Sequence, residues 1–315
     1  MWSGFESIGV ILLIMAVGFF FAYRQIWPEN TQTGLSVIVI KVAAPCLAIT
    51  SIYASFTRDL LVSSLVLLLI ALIHIFVNFL FGKLTSRMLG LSEGKKTIYE
   101  VTYTFANIVF IGLPVNQIIF GNEGVPFLFA YYIVNIAIFW SAGYTKIAAA
   151  GESADAAAPR ARIRIKPQNI LNPGFVGVLV GTVLVGTELR LPSVLNTGLG
   201  YIANMTVPLS LLIIGANLVV FKSGIPRITK DEWWIMIGKF IISPIVMIAL
   251  LKLFGIEGLP FYVFLISSIM PCHMQTAILA QNYNVESAYS SKLVGLSTLL
   301  SLGTIPAWVA IMQLM

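Results

Sequence analysis

With 315 residues, 58% of them hydrophobic and 10% charged, and a mean hydropathy of +0.93, the chain cannot wet the surface of a soluble domain, which carries about 25% charged residues. The apolar excess must face lipid. In so apolar a chain the net charge of +6 and pI of 9.3 mark membrane-protein loops rather than a nucleic-acid surface, and Cys46 and Cys272, both in apolar runs, give neither a disulfide framework nor a zinc spacing.

A spanning helix needs about 20 mostly apolar residues. In chain order the runs that qualify are 5–23, 33–55, 60–82, 98–120, 125–146, 171–188, 194–220, 233–254, 259–281 and 293–314. The expected fold is therefore an all-α polytopic membrane protein of ten transmembrane helices. Residues Met1 to Ser7 carry Glu6 and no Lys or Arg, and Arg24 follows the first run. That order suits a retained first helix with its N-terminus outside rather than a cleaved signal.

Loop charge gives the same orientation. Lys and Arg retained in cytoplasmic loops would be Arg24; Lys83, Arg87, Lys95 and Lys96; Lys146, Arg160, Arg162, Arg164 and Lys166; Lys222, Arg227 and Lys230; and Lys292. The opposite loops and helix ends hold only Arg58, Arg190 and Lys252. The expectation is a multi-pass protein of the cell (inner) membrane with both termini outside.

Residues 147–170 are small, polar and then basic, which reads as a cytoplasmic linker, with a basic run suited to contact with membrane lipid. The linker splits the chain into residues 1–146 and 171–315, with five spans on each side. An odd number of spans per half inverts the second half relative to the first, a recurring transporter plan. The prolines repeat with it: Lys41 precedes Pro45 by four residues in span two as Asn204 precedes Pro208 in span seven, and Asn116 follows Pro114 by two in span four as His273 follows Pro271 in span nine.

Proline removes a donor and opposes the preceding turn, and broken helices are tolerated in lipid only where they are buried or line a cavity. Span four carries Asn107, Gly112, Pro114, Asn116 and Gln117; span nine carries Ser267, Ser268, Pro271, His273 and Gln275. Two broken helices crossing near the midplane would present half-helix N-termini to an anionic group or carbonyl ends to a cation. Asn107, Asn116, Gln117, His273 and Gln275 are the candidate substrate-binding residues.

Lys41 joins them as a counter-charge to an anion or a tethered cation in place of sodium, the alternative being a lysine snorkelling to the interface. Lys239 is read as snorkelling, His74 as a packing histidine, and Glu100 as solvated or paired with a loop lysine. Asn135 and Asn204 are read as interhelical packing groups, and Gly177 with Gly181 as a close-packing pair. No midspan carboxylate pair or metal-ligand set supports an intramembrane enzyme, no ring of charge supports a channel, and a ligand-binding sensor would use the same cavity.

The runs ANIVFIGLP and MTVPLSLLIIGANL, the Asn172–Pro173 pair and the proline-centred ninth span resemble the auxin efflux carrier family, which includes bacterial dicarboxylate carriers and plant PIN-type exporters. The resemblance covers nearly the whole chain. It implies two inverted five-helix repeats with crossover helices four and nine, similar in plan to the bile-acid/sodium symporters, a small organic anion as substrate, and a homodimer. Asn107, Gly112 and Pro114 match the family's asparagine–glycine–proline pattern, and with Pro271 they are the implied crossover residues. His273 and Gln275 depart from the plant pattern, so the resemblance does not extend to auxin itself, and the long cytoplasmic loop of many plant exporters is absent. No cofactor is expected. Sodium coupling, proton coupling and uniport all remain open, as does a sodium-coupled symporter of another small solute.

Overall fold

The computed structural model describes residues 2–28, 30–55, 57, 65–154, 173–222, 224 and 227–314. Among them the elements are helices: α1 (Trp2–Tyr23), α2 (Thr31–Ile38), α3 (Ala44–Ser55), α4 (Leu65–Met88), α5 (Glu93–Thr104), α6 (Leu113–Ile138), α7 (Tyr144–Ala154), α8 (Pro173–Gly186), α9 (Ser193–Ala203), α10 (Thr206–Asn217), α11 (Lys230–Ile237), α12 (Ser243–Leu253), α13 (Leu259–Ser268), α14 (Met274–Asn282) and α15 (Ser287–Met312). Six helical stretches are long and apolar enough to cross a membrane: Thr31–Ala54, Leu65–Met88, Ile108–Gly151, Ser193–Asn217, Lys230–Leu253 and Ser287–Met312. Gly9–Tyr23, Pro173–Gly186 and Gly258–Ser268 are apolar but shorter. Exposed Leu13, Phe76 and Val183 show the same thing from outside, an apolar surface that only lipid would cover.

The stretch Ile108–Gly151 is two passes, not one. Gly121 has φ 67° and ψ −163°, a conformation open to glycine because it has no Cβ. Asn135, as far beyond Gly121 as Asn107 is before it, hydrogen-bonds Ala106. A straight helix would hold these residues about 40 Å apart at 1.5 Å per residue, so the chain reverses at Gly121.

Three π-helical turns explain how prolines fit inside spans. Val39–Ala43, Ile108–Gly112 and Gly238–Ile242 end two residues before Pro45, Pro114 and Pro244 respectively. A proline cannot donate its N–H and its ring crowds the carbonyl four residues back. Widening the preceding turn relieves that crowding and lets the helix continue.

Several helix ends run past the expected apolar limits. α4 continues to Met88 rather than 82, α7 to Ala154 rather than 146, and α15 starts at Ser287 rather than 293. Hydropathy registers only the hydrocarbon slab, whereas these ends persist where charged side chains stabilise them. Thr229 and Glu232 form a capping box at the start of α11, with the Thr229 N–H donating to Glu232 at 2.7 Å. Lys292 pairs with Glu232 at 2.7 Å and Lys95 with Asp231 at 3.0 Å, tying α15 and α5 to α11. Residues 155–172, with the basic linker run and Asn172, lie outside the described residues.

Two helix pairs are sealed by glycine. Gly18 of α1 sits against the Leu212 carbonyl of α10, and Gly215 of α10 against the Met15 carbonyl of α1. Gly177 of α8 meets the Pro45 carbonyl of α3, and Gly181 meets Ile49 and Ile52. A Cβ at Gly18, Gly215 or Gly177 would collide with backbone, the small-residue packing expected of membrane helices. These helices form one group with α2 and α9.

The remaining helices form a second group whose core is partly polar. Buried His74 places Nε2 3.0 Å from the Ser243 carbonyl and Nδ1 3.1 Å from the Tyr131 hydroxyl, and Ser243 Oγ donates to the Ser268 carbonyl at 2.9 Å. This network joins α4, α6, α12 and α13, the packing role read for His74.

Candidate functional site

The site is built where two helices stop. α5 ends at Thr104, Phe105 is extended (φ −98°, ψ 144°), and helical structure resumes in the π-turn after Asn107. α13 ends at Ser268, and α14 begins after His273. The two breaks meet: Ala106 and Cys272 form an antiparallel β-bridge, and the Asn107 N–H donates to the Pro271 carbonyl at 2.8 Å.

Each break strands peptide groups that no water solvates in an apolar medium, and specific side chains take them up. Asn135 serves both groups of Ala106, accepting from its N–H at 3.4 Å and donating to its carbonyl at 3.2 Å. Lys239 Nζ donates to the Phe105 carbonyl at 2.7 Å, and Ser297 Oγ accepts from the Cys272 N–H at 3.0 Å. Asn107 Oδ1 accepts from the Phe110 N–H at 3.3 Å, capping the restarted helix.

Beside this junction lies a cavity of 280 Å³ between the two helix groups. Asn107 and Ile111 line it on one side, Met274 and Ala277 from the first turn of α14 on another, and Asn217, Ser291 and Thr298 supply polar groups from α10 and α15. Among the described residues no carboxylate lines it. A helix N-terminus carries partial positive charge and unpaired N–H groups, so the lining combines neutral hydrogen-bonding side chains with one weakly positive pole.

A family model described as membrane transport protein matches residues 3–309. An uncharacterized transporter of Methanothermobacter thermautotrophicus is 27% identical over 306 residues, covering 96% of each chain. Another, from Methanocaldococcus jannaschii, is 26% identical over 309 residues, covering 95% of this chain and 96% of its own. A yeast uncharacterized transporter is 23% identical over 168 residues, 45% of this chain and 38% of that one. The chain belongs to the auxin efflux carrier family of membrane transport proteins. It is a membrane transporter and not an enzyme.

Within this carrier the candidate residues separate. Asn107 lines the cavity and caps the helix beside it. His273 is buried at the second break, stacked on Phe139 with ring centroids 4.2 Å apart, and its Nδ1 has no partner. Half-buried Gln275 leaves Oε1 unpartnered on the first turn of α14. Asn116 is buried a turn beyond the π-turn and donates to the Gly112 carbonyl at 2.8 Å, and Gln117 donates to Asn122 at 2.7 Å near the reversal at Gly121. Lys41 is exposed on its π-turn and does not line the cavity.

Two local readings change and a third is narrowed. The break in span four is Phe105–Asn107, seven residues before Pro114, because the π-turn absorbs the proline; in span nine Pro271 lies inside the break. Lys239 does not snorkel: it is 3% exposed and held by the Phe105 carbonyl. Of the two readings of Glu100, pairing with a loop lysine holds: it is buried, bonded to Ser86 and paired with Lys146. Asn135, Ser297 and the cavity residues Asn217, Ser291 and Thr298 carry the site without any local sequence signal beyond being polar groups in apolar spans.

Proposed function

We propose that this carrier moves small organic anions, carboxylates above all, by alternating access, with the substrate in the 280 Å³ cavity beside the helix-break junction. The supporting observation is the pairing of that cavity with the N-terminal turn of α14 and with Asn107, an acid-free lining that favours a carboxylate. In this reading the chain has ten spans in two inverted repeats, residues 1–146 and 171–315, joined through 147–170, and spans four and nine are the crossover helices.

Two pieces of geometry support the repeat. The bridge partners Ala106 and Cys272 fall in spans four and nine, positions related by the inversion. The glycine-sealed pair of spans one and seven maps under the same inversion onto the pair of spans six and two. The seamed group is then the fixed partner against which the junction group rocks. The cavity opens between the groups at the ends of α10 and α15, which the loop charges assign to the cytoplasmic side, with both termini outside. Sodium, proton or no coupling ion each fits such a lining.

The test is uptake of labelled malonate, malate and indole acetate into proteoliposomes, with and without sodium or pH gradients. Saturable uptake of at least one carboxylate is expected, lost in His273→Ala while that variant keeps the wild-type melting temperature within about 2 °C, the shift of a sub-kcal/mol change, and lost in Asn107→Ala, which also gives up a helix cap worth about 1 kcal/mol and should still melt cooperatively. Normal uptake by both variants would refute the site. Ligand stabilisation without uptake under any gradient would move the assignment to a membrane sensor.

A further inference from the structure

A second cavity, of 430 Å³, lies between α4, α5 and the α6–α7 segment. Its walls are apolar apart from one end, where Glu100 and Lys146 sit. Leu72 and Phe76 at its rim are 48% and 57% exposed, so its mouth is on the lipid-facing surface. In a bilayer such a slot is filled by something apolar.

What fills it is decided by the polar end. Residues 72, 76, 79, 83 and 87 follow one face of α4 at spacings of three and four, apolar as far as Phe79 and then Lys83 and Arg87. From Leu72 to Arg87 that face is about 22 Å long at 1.5 Å per residue. The Lys83 and Lys146 ammonium groups lie 5.9 Å and 5.3 Å from the Phe79 ring centroid. Buried Glu100 neutralises Lys146 and takes a hydrogen bond from Ser86 at 2.8 Å. Lys83 and Arg87 have no acidic partner among the described residues. The face of α4 that lines the slot thus runs on past its polar end to two cations without an acidic partner among the described residues, at the level where headgroups lie.

We infer that this slot is a binding site for an anionic phospholipid, one acyl chain inside it and the phosphate against Lys83 and Arg87. A zwitterionic lipid would fill the slot but leave the two cations uncompensated. The site is separate from the anion cavity, so it stands or falls independently of the transport reading. Because the slot is walled by Val101, Thr104 and Phe105 at the end of α5, the lipid would brace the half-helix that leads into the junction.

The experiment is native mass spectrometry of the delipidated full chain, titrated with phosphatidylglycerol or phosphatidylcholine of identical acyl chains. One phosphatidylglycerol should be retained per chain, at least about tenfold more tightly than phosphatidylcholine. Each basic residue near a headgroup contributes about fivefold, so Lys83→Ala combined with Arg87→Ala should weaken phosphatidylglycerol about 25-fold and leave phosphatidylcholine unchanged. Ala142→Trp, which fills the slot and keeps the charges, should weaken both lipids, and Lys83→Arg, which keeps charge and fold, should bind as wild type. Equal retention of the two lipids, wild-type retention by the double variant, or equal competition by glycerol phosphate without acyl chains would overturn the assignment.

Discussion

Lys41 and Lys239 occupy the same local setting, yet one faces outward and the other is sealed inside. Each lies in a π-helical turn that ends two residues before a proline. Lys41 is exposed, whereas Lys239 is 3% exposed with its ammonium on the Phe105 carbonyl. The difference comes from the facing helix. Across from Lys239, α5 stops and leaves a carbonyl that needs a donor; among the described residues no such carbonyl faces Lys41. A buried lysine here is a response to a broken helix elsewhere in the chain, not a property of its own span.

That comparison can be broken by removing the donors one at a time. The largest effect is expected from Asn135→Leu, which leaves the Ala106 N–H without its acceptor and removes one of the two donors to the Ala106 carbonyl, the other being the Ile108 N–H at 3.0 Å. An orphaned buried group costs about 1–3 kcal/mol and a lost hydrogen bond about 0.5–1.5 kcal/mol, so a loss on the order of 1.5–4.5 kcal/mol should appear as a large drop in melting temperature of the detergent-solubilised protein. A wild-type melting curve would mean that the junction tolerates unpaired backbone. Lys239→Met should be milder. It strands the Phe105 carbonyl, but it also withdraws an ammonium from an apolar interior, which offsets part of that cost. A net loss of at most about 3 kcal/mol follows; a gain in stability would show that the lysine does not serve as the cap for α5. Lys41→Met should change stability by no more than about 0.5 kcal/mol, as for surface positions generally, and should leave uptake intact. Loss of uptake in Lys41→Met would restore the counter-charge role read from its sequence.

These cases also show how far the sequence could be read. The small-residue pair Gly177 and Gly181 was legible because helix spacing alone sets it, and the close contacts with Pro45, Ile49 and Ile52 follow. The all-helical character and the presence of several apolar spans were legible in the same local way. The residue at which span four breaks was not, because proline is a signal of crowding and the π-turn before Pro114 had already relieved it. Asn135 and Lys239 were read as packing and snorkelling groups. Their partners lie 29 and 134 residues away, and no pattern within a span encodes a carbonyl stranded at that distance. Lys41 lies away from the junction for the converse reason: proximity to a proline is not proximity to a break. Asn107 is legible as a residue of the break because its structural role is local, capping the helix that restarts after it.

The central claim is that the cavity beside the junction takes the transported anion. Ser291 is exposed and lines that cavity, and Cys272 is fully buried, so Ser291→Cys in a Cys46→Ala background places one reactive thiol at the mouth. The measurement is labelling of that thiol by a membrane-impermeant maleimide, with and without the anion that proteoliposomes take up. The account predicts rapid labelling that the anion slows in a saturable way, and no such protection when Asn107→Ala is added. Labelling that is indifferent to a transported anion would contradict it.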